Sequence, residues 1–199
     1  MRNHQRREET RRGILDAAAH LFAERGYDAT GVAEVCARAG ISKGAFYYHF
    51  TSKQAVFMAL IELWLGELES SLAGTRLADQ AASEWLLSMA RTFRAILGSQ
   101  TQKTALVLEF WTQARRDAAI RQAVLTPFSR FQEFFQGIIS EGIDQGDLRD
   151  VDPVAGAQVL LSVASGLFFQ GLLDPEGSDW GTVAEISIRI LLDGLRRDR

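Results

Sequence analysis

The stretch Ile41–Phe50, ISKGAFYYHF, decides how the first part of this chain folds. It places four aromatic rings, one histidine and one lysine within ten residues. The stretch is predicted to form a short helix that starts after the N-cap residue Ser42 and ends near His49. The inner face of such a helix has room for only two or three rings, so the remaining side chains must face outward. Three apolar side chains are predicted to point inward: Ile41, Phe46 and Phe50.

The residues before this stretch indicate two more helices. Thr10–Glu24 carries an apolar face at helical spacing, and Gly26 follows as a stop signal. A second, two-turn helix follows Thr30, its predicted N-cap, and ends at Gly40. Two short helices joined around a glycine and packed on a preceding helix are typical of a helix-turn-helix. In that motif the second helix enters the major groove of DNA.

The outward-facing residues of this segment are therefore the candidate DNA contacts. Lysine supplies positive charge for a phosphate or a guanine edge, glycine allows close backbone approach, and alanine can touch a thymine methyl group. Tyrosine, histidine and hydroxyl side chains offer donors to phosphate oxygens. The predicted contacts are Ser42, Lys43, Gly44, Ala45, Tyr47, Tyr48, His49 and Lys53, with Arg6 and Arg7 from the N-terminal arm.

The charge distribution supports a polyanionic partner at one end. Residues 1–53 hold nine Lys and Arg against six Asp and Glu, a net charge of +3. The remaining residues carry −6, so a basic end precedes an acidic body. A solvated run of charges gives the same imbalance, so composition leaves both interpretations open.

The rest of the chain is predicted to be helical throughout, because only three prolines interrupt its long apolar runs. Helices are expected at about 53–71, 79–98, 101–115, 118–145, 153–173 and 179–197. A kink or break is expected at Pro127, and Asp152 and Pro153 should start the helix that they precede. The predicted architecture is all-α, with a helix-turn-helix domain over 1–53 and a ligand-binding and dimerisation domain over 54–199.

Residues 14–57 resemble the N-terminal DNA-binding domain of the tetracycline-repressor (TetR) family. The resemblance lies in the apolar first helix ending at Phe22, in Gly26-Tyr27, and in the run from Ala39 through Phe50 to Lys53. Gly31 departs from the pattern, because the family commonly has Ser or Thr there, whose hydroxyl often contacts a phosphate. The resemblance therefore implies that Thr30 carries this DNA contact alone. The resemblance implies a homodimer of about nine helices per subunit. It also implies a cytoplasmic regulator, usually a repressor, that a small ligand releases from a roughly palindromic operator.

The segment Pro153–Leu173 contains no charged residue over 21 positions. A helix that is apolar all round is buried on every side, which here means core on one side and a partner on the other. A membrane span has the same length, but aspartates rather than basic residues flank the segment. We predict a dimer interface made by the last two helices, with Leu160, Ala164, Phe168, Ile186 and Ile190.

Aromatic residues concentrate in the middle of the chain, where they either form core or line an apolar ligand cavity. Glu109 lies within an apolar run and either meets a ligand or reaches solvent or a neighbouring arginine. The predicted pocket for a largely apolar effector consists of Trp64, Phe93, Glu109, Trp111, Phe131 and Phe168.

Enzymatic and metal-binding functions find little support. The three histidines have no ligand spacing, and no nucleophile elbow or phosphate-binding glycine loop occurs. The single cysteine, Cys36, excludes an intrachain disulfide and is predicted to be a small core residue. The charged N-terminus has no apolar stretch behind it and is not a secretory signal. We expect no cofactor or metal, and the alternatives are a helical module that binds an acidic protein or lipid surface, and an enzyme.

Overall fold

The computed structural model describes residues 2–74, 80–89, 102–174 and 176–195 of the 199-residue chain. The described residues form an all-α fold with nine helical segments. These are α1 (Arg2–Arg25), α2 (Val32–Ala39), α3 (Lys43–His49), α4 (Lys53–Ala73), α5 (82–89), α6 (Gln102–Ala114), α7 (Ala118–Asp144), α8 (Pro153–Leu173) and α9 (Trp180–Leu195).

The chain divides into two compact units. The first comprises residues 2–66 and 102–127, and the second comprises 67–74, 80–89, 128–174 and 176–195. In the first unit α1 packs against α2 and α6, and α2 packs against α3. Its aromatic core links three helices: the ring centroid of Phe57 lies 5.5 Å from that of Phe22 and 4.9 Å from that of Phe110. Cys36 is buried as a free thiol, as predicted.

Helix α1 begins eight residues earlier than predicted, so the basic N-terminal arm is helical. The prediction started at Thr10 because the apolar spacing begins only at Ile14. The earlier turns are polar, and a hydrophobic pattern cannot reveal them. Their Arg, Gln and Glu residues favour helix intrinsically, and Thr10 donates its hydroxyl to the carbonyl of Arg6 at 2.9 Å.

The N-cap of α2 is Gly31, and the prediction of Thr30 was wrong. Thr30 is only 1% exposed, and its hydroxyl donates to the carbonyl oxygens of Gly26 and Leu21 at 2.9 and 3.3 Å. The Gly31 N–H donates to the Glu34 carboxylate at 2.7 Å. Glycine has no side chain to return this bond, so Glu34 alone supplies the cap.

Helix α7 runs unbroken through Pro127, so the predicted break does not occur. A proline inside a helix costs about 3 kcal/mol, because it removes a hydrogen bond and crowds the preceding turn. A long buried stripe offsets this cost, with Ile120, Val124, Phe131, Phe135, Ile138 and Ile139 on it. Pro127 is itself buried and is the last residue of the first unit on this helix.

The second unit has an aromatic core and a pair of packed helices. Trp85 is fully buried and makes edge contact with the ring of Phe134 at 5.5 Å between centroids. Helix α8 packs on α9 and begins as predicted, with the Asp152 carboxylate accepting the Val154 N–H at 2.9 Å. Among the described helices, α8 alone is long and apolar enough to cross a membrane by length and composition, which is weak evidence for a span.

Only part of the predicted dimer interface is exposed. Leu160 is 2% exposed and belongs to the core of its own chain, so its assignment to the interface was wrong. Ala164 and Phe168 are half-buried. Ile186 and Ile190 are 51% and 67% exposed on α9, on a surface that the single chain leaves open.

Candidate DNA-binding interface

The turn between α2 and α3 depends on one residue in the left-handed conformation. Gly40 has φ +67°, which places a sharp corner after α2 at little steric cost because glycine lacks a Cβ. The N–H groups of Gly40 and Ile41 donate hydrogen bonds to the carbonyls of Ala37 and Cys36, respectively. The Ser42 hydroxyl then accepts the Ala45 N–H at 3.2 Å and caps α3 as predicted.

Helix α3 separates its aromatic residues between two faces. Phe46 is fully buried and Phe50 is 6% exposed, so both point inward as predicted. Ile41 is half-buried. Tyr47 and Tyr48 are 55% and 68% exposed, so both rings face outward. The remaining predicted contacts are exposed (Ser42, Lys43, Gly44) or half-buried (Ala45, His49).

The helical extension of α1 lies against this recognition helix. The guanidinium carbon of Arg7 is 5.4 Å from the ring centroid of Tyr48, and that of Arg11 is 5.2 Å from the ring centroid of Phe50. Arg11 was not among the predicted contacts. A signal for it existed in the sequence, because Arg7 and Arg11 continue toward the N-terminus the same helical stripe as the buried Ile14.

Lys53, at the start of α4, is tied to the connector between α1 and α2. Its ammonium donates to the carbonyls of Tyr27 and Thr30 at 2.7 and 2.9 Å and lies 4.2 Å from the ring centroid of Tyr27. An ammonium has three N–H donors, so these two bonds leave one for another acceptor. Phosphate contact by Lys53 therefore stays a prediction, while the buried Thr30 side chain has a structural role.

The connector between α6 and α7 approaches the same region. Asp117 accepts a hydrogen bond from the Gln54 amide at 2.9 Å, and Arg116 forms an ion pair with Asp28 at 3.1 Å. Burial, and then the negative charges of Asp117 and Asp28, raise the pKa of the Tyr27 hydroxyl above its ordinary value of 10.0. Helices α4 and α7 are therefore linked through the residues that surround Tyr27.

The residues of the predicted ligand pocket fall in different units. Trp64, Glu109 and Trp111 belong to the first unit, and Phe131 and Phe168 belong to the second. Phe93 lies outside the described residues. Glu109 accepts a hydrogen bond from the Gln113 amide at 2.9 Å, so its carboxylate has a protein partner. Trp111 is 41% exposed, whereas Phe131 is 6% exposed.

A capped helix-turn-helix with an exposed, donor-rich second helix indicates a DNA-binding protein of the helix-turn-helix class. The chain matches the family model described as "Bacterial regulatory proteins, tetR family" over residues 14–60. It matches the model described as "BetI-type transcriptional repressor, C-terminal" over residues 82–196. The protein thus belongs to the TetR family of transcriptional regulators, as its sequence resemblance indicated, and is not an enzyme.

Individual relatives agree with this assignment. The chain is 28% identical over 193 residues to the HTH-type transcriptional regulator YfiR of Bacillus subtilis, covering 93% of this chain and 91% of YfiR. A transcriptional regulator from Saccharomonospora viridis, solved with choline, has a TM-score of 0.81 at 22% identity and covers 96% of this chain and 100% of its own. FadR from Bacillus subtilis, solved with stearoyl-CoA, has a TM-score of 0.80 at 20% identity, with 92% and 97% covered.

Proposed function

We propose that this regulator is a cytoplasmic homodimeric repressor that leaves a palindromic operator when a largely apolar small molecule binds. The observation that carries the proposal is the exposed apolar surface of α8 and α9. The exposed apolar side chains on these two helices are Val154, Val159, Leu173, Ile186 and Ile190. A second copy of the chain would remove this surface from water and hold two recognition helices for two half-sites.

The α8 surface favours a second copy over a membrane. Its exposed positions include Gln158, Ser162 and Gln170, and polar side chains are costly in hydrocarbon. On α9 the exposed Ile186 and Ile190 lie beside Arg189, which forms an ion pair with Glu185 at 3.3 Å. Charged residues at the rim of an apolar patch are usual for a protein interface.

The scarcity of buried polar side chains in the second unit favours an apolar effector there. Among the described residues the buried polar side chains are Thr30, Ser83 and Gln113, and Ser83 alone lies in that unit. Its hydroxyl and N–H both donate to Asp147, at 2.9 and 2.8 Å, so neither is available to a ligand. We place the effector among Phe131, Phe168 and the rings around Trp85. Choline and stearoyl-CoA differ greatly in polarity, so the ligands of these two structural neighbours do not indicate whether the effector of this protein is polar or apolar.

The dimer is tested by placing a charge on its proposed surface. Ile190→Glu should give a folded monomer, since the side chain is already exposed in the single chain. Leu63→Glu is the matched control, because Leu63 is also exposed, at 48%, but lies on α4. The Leu63→Glu protein should remain dimeric. Light scattering after gel filtration reads the mass of each variant. A dimeric Ile190→Glu protein would contradict the interface.

Ligand response is tested with an operator recovered from a randomised duplex library. A homodimer should enrich inverted repeats with half-site centres about 34–36 Å apart. Saturated and unsaturated acyl-CoA, free fatty acids and choline are then added, and duplex release is followed by fluorescence anisotropy. Phe131→Leu should blunt release while Trp111→Ala retains it. The opposite pattern would move the pocket to the first unit, and release by choline alone would contradict an apolar effector.

Repression requires a separate measurement in the source organism. Deleting the gene should raise transcription from promoters that contain the recovered operator. A fall in transcription would identify an activator and leave the DNA-binding assignment intact. The proposed cycle needs no metal or cofactor, because release depends only on the difference in ligand affinity between two conformations.

A further inference from the structure

Two arginines of α1 contact two aromatic residues at the C-terminal end of the recognition helix. Arg7 and Arg11 are separated by one helical turn, and their partners Tyr48 and Phe50 lie at the end of α3. A single exposed arginine samples many rotamers, so one contact by itself would carry little weight. Two separate contacts, made by arginines one helical turn apart, indicate that the polar first turns of α1 have a defined position beside α3.

The ring of Tyr48 needs a neighbouring group to hold it if this side chain is to distinguish one base pair from another. Its side chain is 68% exposed, and its other ring contact is with the half-buried His49 at 5.2 Å between centroids. Discrimination between base edges demands a fixed side-chain orientation, and an unsupported exposed ring loses more entropy on binding. A guanidinium over the face of the ring restricts the ring by a cation–π contact, and the five N–H groups of the guanidinium can still donate to other acceptors.

We propose that Arg7 is a positioning residue for sequence readout: its guanidinium, which lies over the ring of Tyr48, sets the orientation in which that ring meets the base edges. The same guanidinium keeps N–H donors for a neighbouring phosphate. Arg11 holds the extension of α1 in place through Phe50, which is buried and cannot itself reach DNA. This inference rests on DNA binding through α3. It gives Arg7 a role in sequence readout in addition to any contact with a phosphate.

The test compares base preference with overall affinity. Wild type, Arg7→Ala, Tyr48→Ala and the double variant are each used to select from a randomised duplex library, and the enriched sequences are aligned. Affinity for one scrambled duplex is measured in parallel by anisotropy at several salt concentrations. Arg7→Ala and Tyr48→Ala should lose preference at the same base positions. The loss should be about 2- to 5-fold for Arg7→Ala, the size of an exposed cation–π contact.

Two control variants separate positioning from charge. Arg12→Ala removes the same charge from the same helix, about 140° around its axis from Arg7. It should weaken binding to every duplex and keep the wild-type preference. Arg7→Lys keeps the charge but lacks the planar guanidinium, so it should retain affinity for the scrambled duplex but not the base preference.

The outcomes distinguish this inference from the function on which it rests. Losses of base preference that add up in the double variant would overturn the inference, because Arg7 would then act independently of Tyr48. An unchanged base preference in Arg7→Ala would overturn it as well. Failure of the wild type to bind any duplex would overturn DNA binding through α3 and the inference together. Circular dichroism of each variant shows that a loss does not come from unfolding.

Discussion

The ammonium of Lys53 donates to the main-chain carbonyl of Tyr27 at 2.7 Å and lies 4.2 Å from the centroid of the same residue's ring. One side chain thus holds both the backbone and the ring of a residue 26 positions earlier. A second bond, to the carbonyl of Thr30 at 2.9 Å, extends the contact along the α1–α2 connector. The first residue of α4 therefore fixes the loop that leads into the helix-turn-helix.

Replacing Lys53 should lower stability as well as DNA affinity. Lys53→Met keeps the length of the side chain but loses two charge-assisted hydrogen bonds and the ring contact, at a cost of about 1–3 kcal/mol. Urea denaturation measures this loss. Lys43→Met, at an exposed position of α3, should change stability by less than about 0.5 kcal/mol while weakening DNA binding. Equal stability of the two variants would mean that the Lys53 contacts contribute nothing.

The two polar links of the α6–α7 connector should contribute unequally. Asp117 accepts the N–H groups of Ala119 and Ile120 at 2.8 and 3.1 Å and also the Gln54 amide, so it caps α7 and joins it to α4. Asp117→Ala should cost about 1–2 kcal/mol.

The ion pair beside it should matter less. Arg116 and Asp28 have side chains that are 67% and 66% exposed, and exposed pairs contribute about 0–1 kcal/mol. Arg116→Ala should therefore be almost neutral in thermal and urea denaturation. A larger loss in Arg116→Ala than in Asp117→Ala would reverse this ranking.

Two glycines of α7 should respond in opposite ways to alanine. A Cβ on Gly137 would meet no atom within 4 Å, so Gly137→Ala should stabilise the protein by about 0.4–1 kcal/mol. A Cβ on Gly142 would lie 2.8 Å from the Ala82 Cβ and from Leu148 Cδ1, so Gly142→Ala should cost about 1–3 kcal/mol. Thermal denaturation should show an upward shift of about 1–4 °C for Gly137→Ala and a downward shift for Gly142→Ala. Shifts of the same sign would show that this packing is not as described.

Tyr27 should make stability fall at alkaline pH. Its pKa is raised in the folded state, mainly by burial, so the fold binds the phenolic proton more tightly than the unfolded chain does. This contribution is fully present below the unfolded pKa of about 10 and is lost as pH rises through the folded value. Tyr27→Phe should therefore lose less stability than wild type between about pH 9 and 11. Parallel curves for the two proteins would contradict the raised pKa.

Much of the candidate site could be predicted because its signals are local. Ser42 and Asp152 cap their helices through N–H groups two or three residues away, and Gly26 and Gly40 adopt the positive φ that glycine tolerates. Phe46 and Phe50 were assigned to the core because a short amphipathic helix has one inner face. These features depend on chain geometry over a few residues, which the order of residue types encodes.

The exceptions depended on contacts that form in the folded chain and that residue type alone does not indicate. Thr30 has the residue type of an N-cap, but the end of α1 offers its hydroxyl two carbonyls in the interior, and Gly31 takes the cap. The polar turns before Thr10 carry no apolar pattern, so their helical form and the contact of Arg7 with the ring of Tyr48 became visible only in the folded chain.

The amino-acid sequence by itself determined the helices, the helix-turn-helix and the family. It could not determine which side of α8 faces inward, because a helix without charge has no preferred side until something packs on it. Tertiary packing placed Leu160 in the core and left Val159 exposed beside it. Packing also gave Lys53 its partners 23 and 26 residues away, since a flexible side chain bonds to whichever acceptors the fold brings within reach.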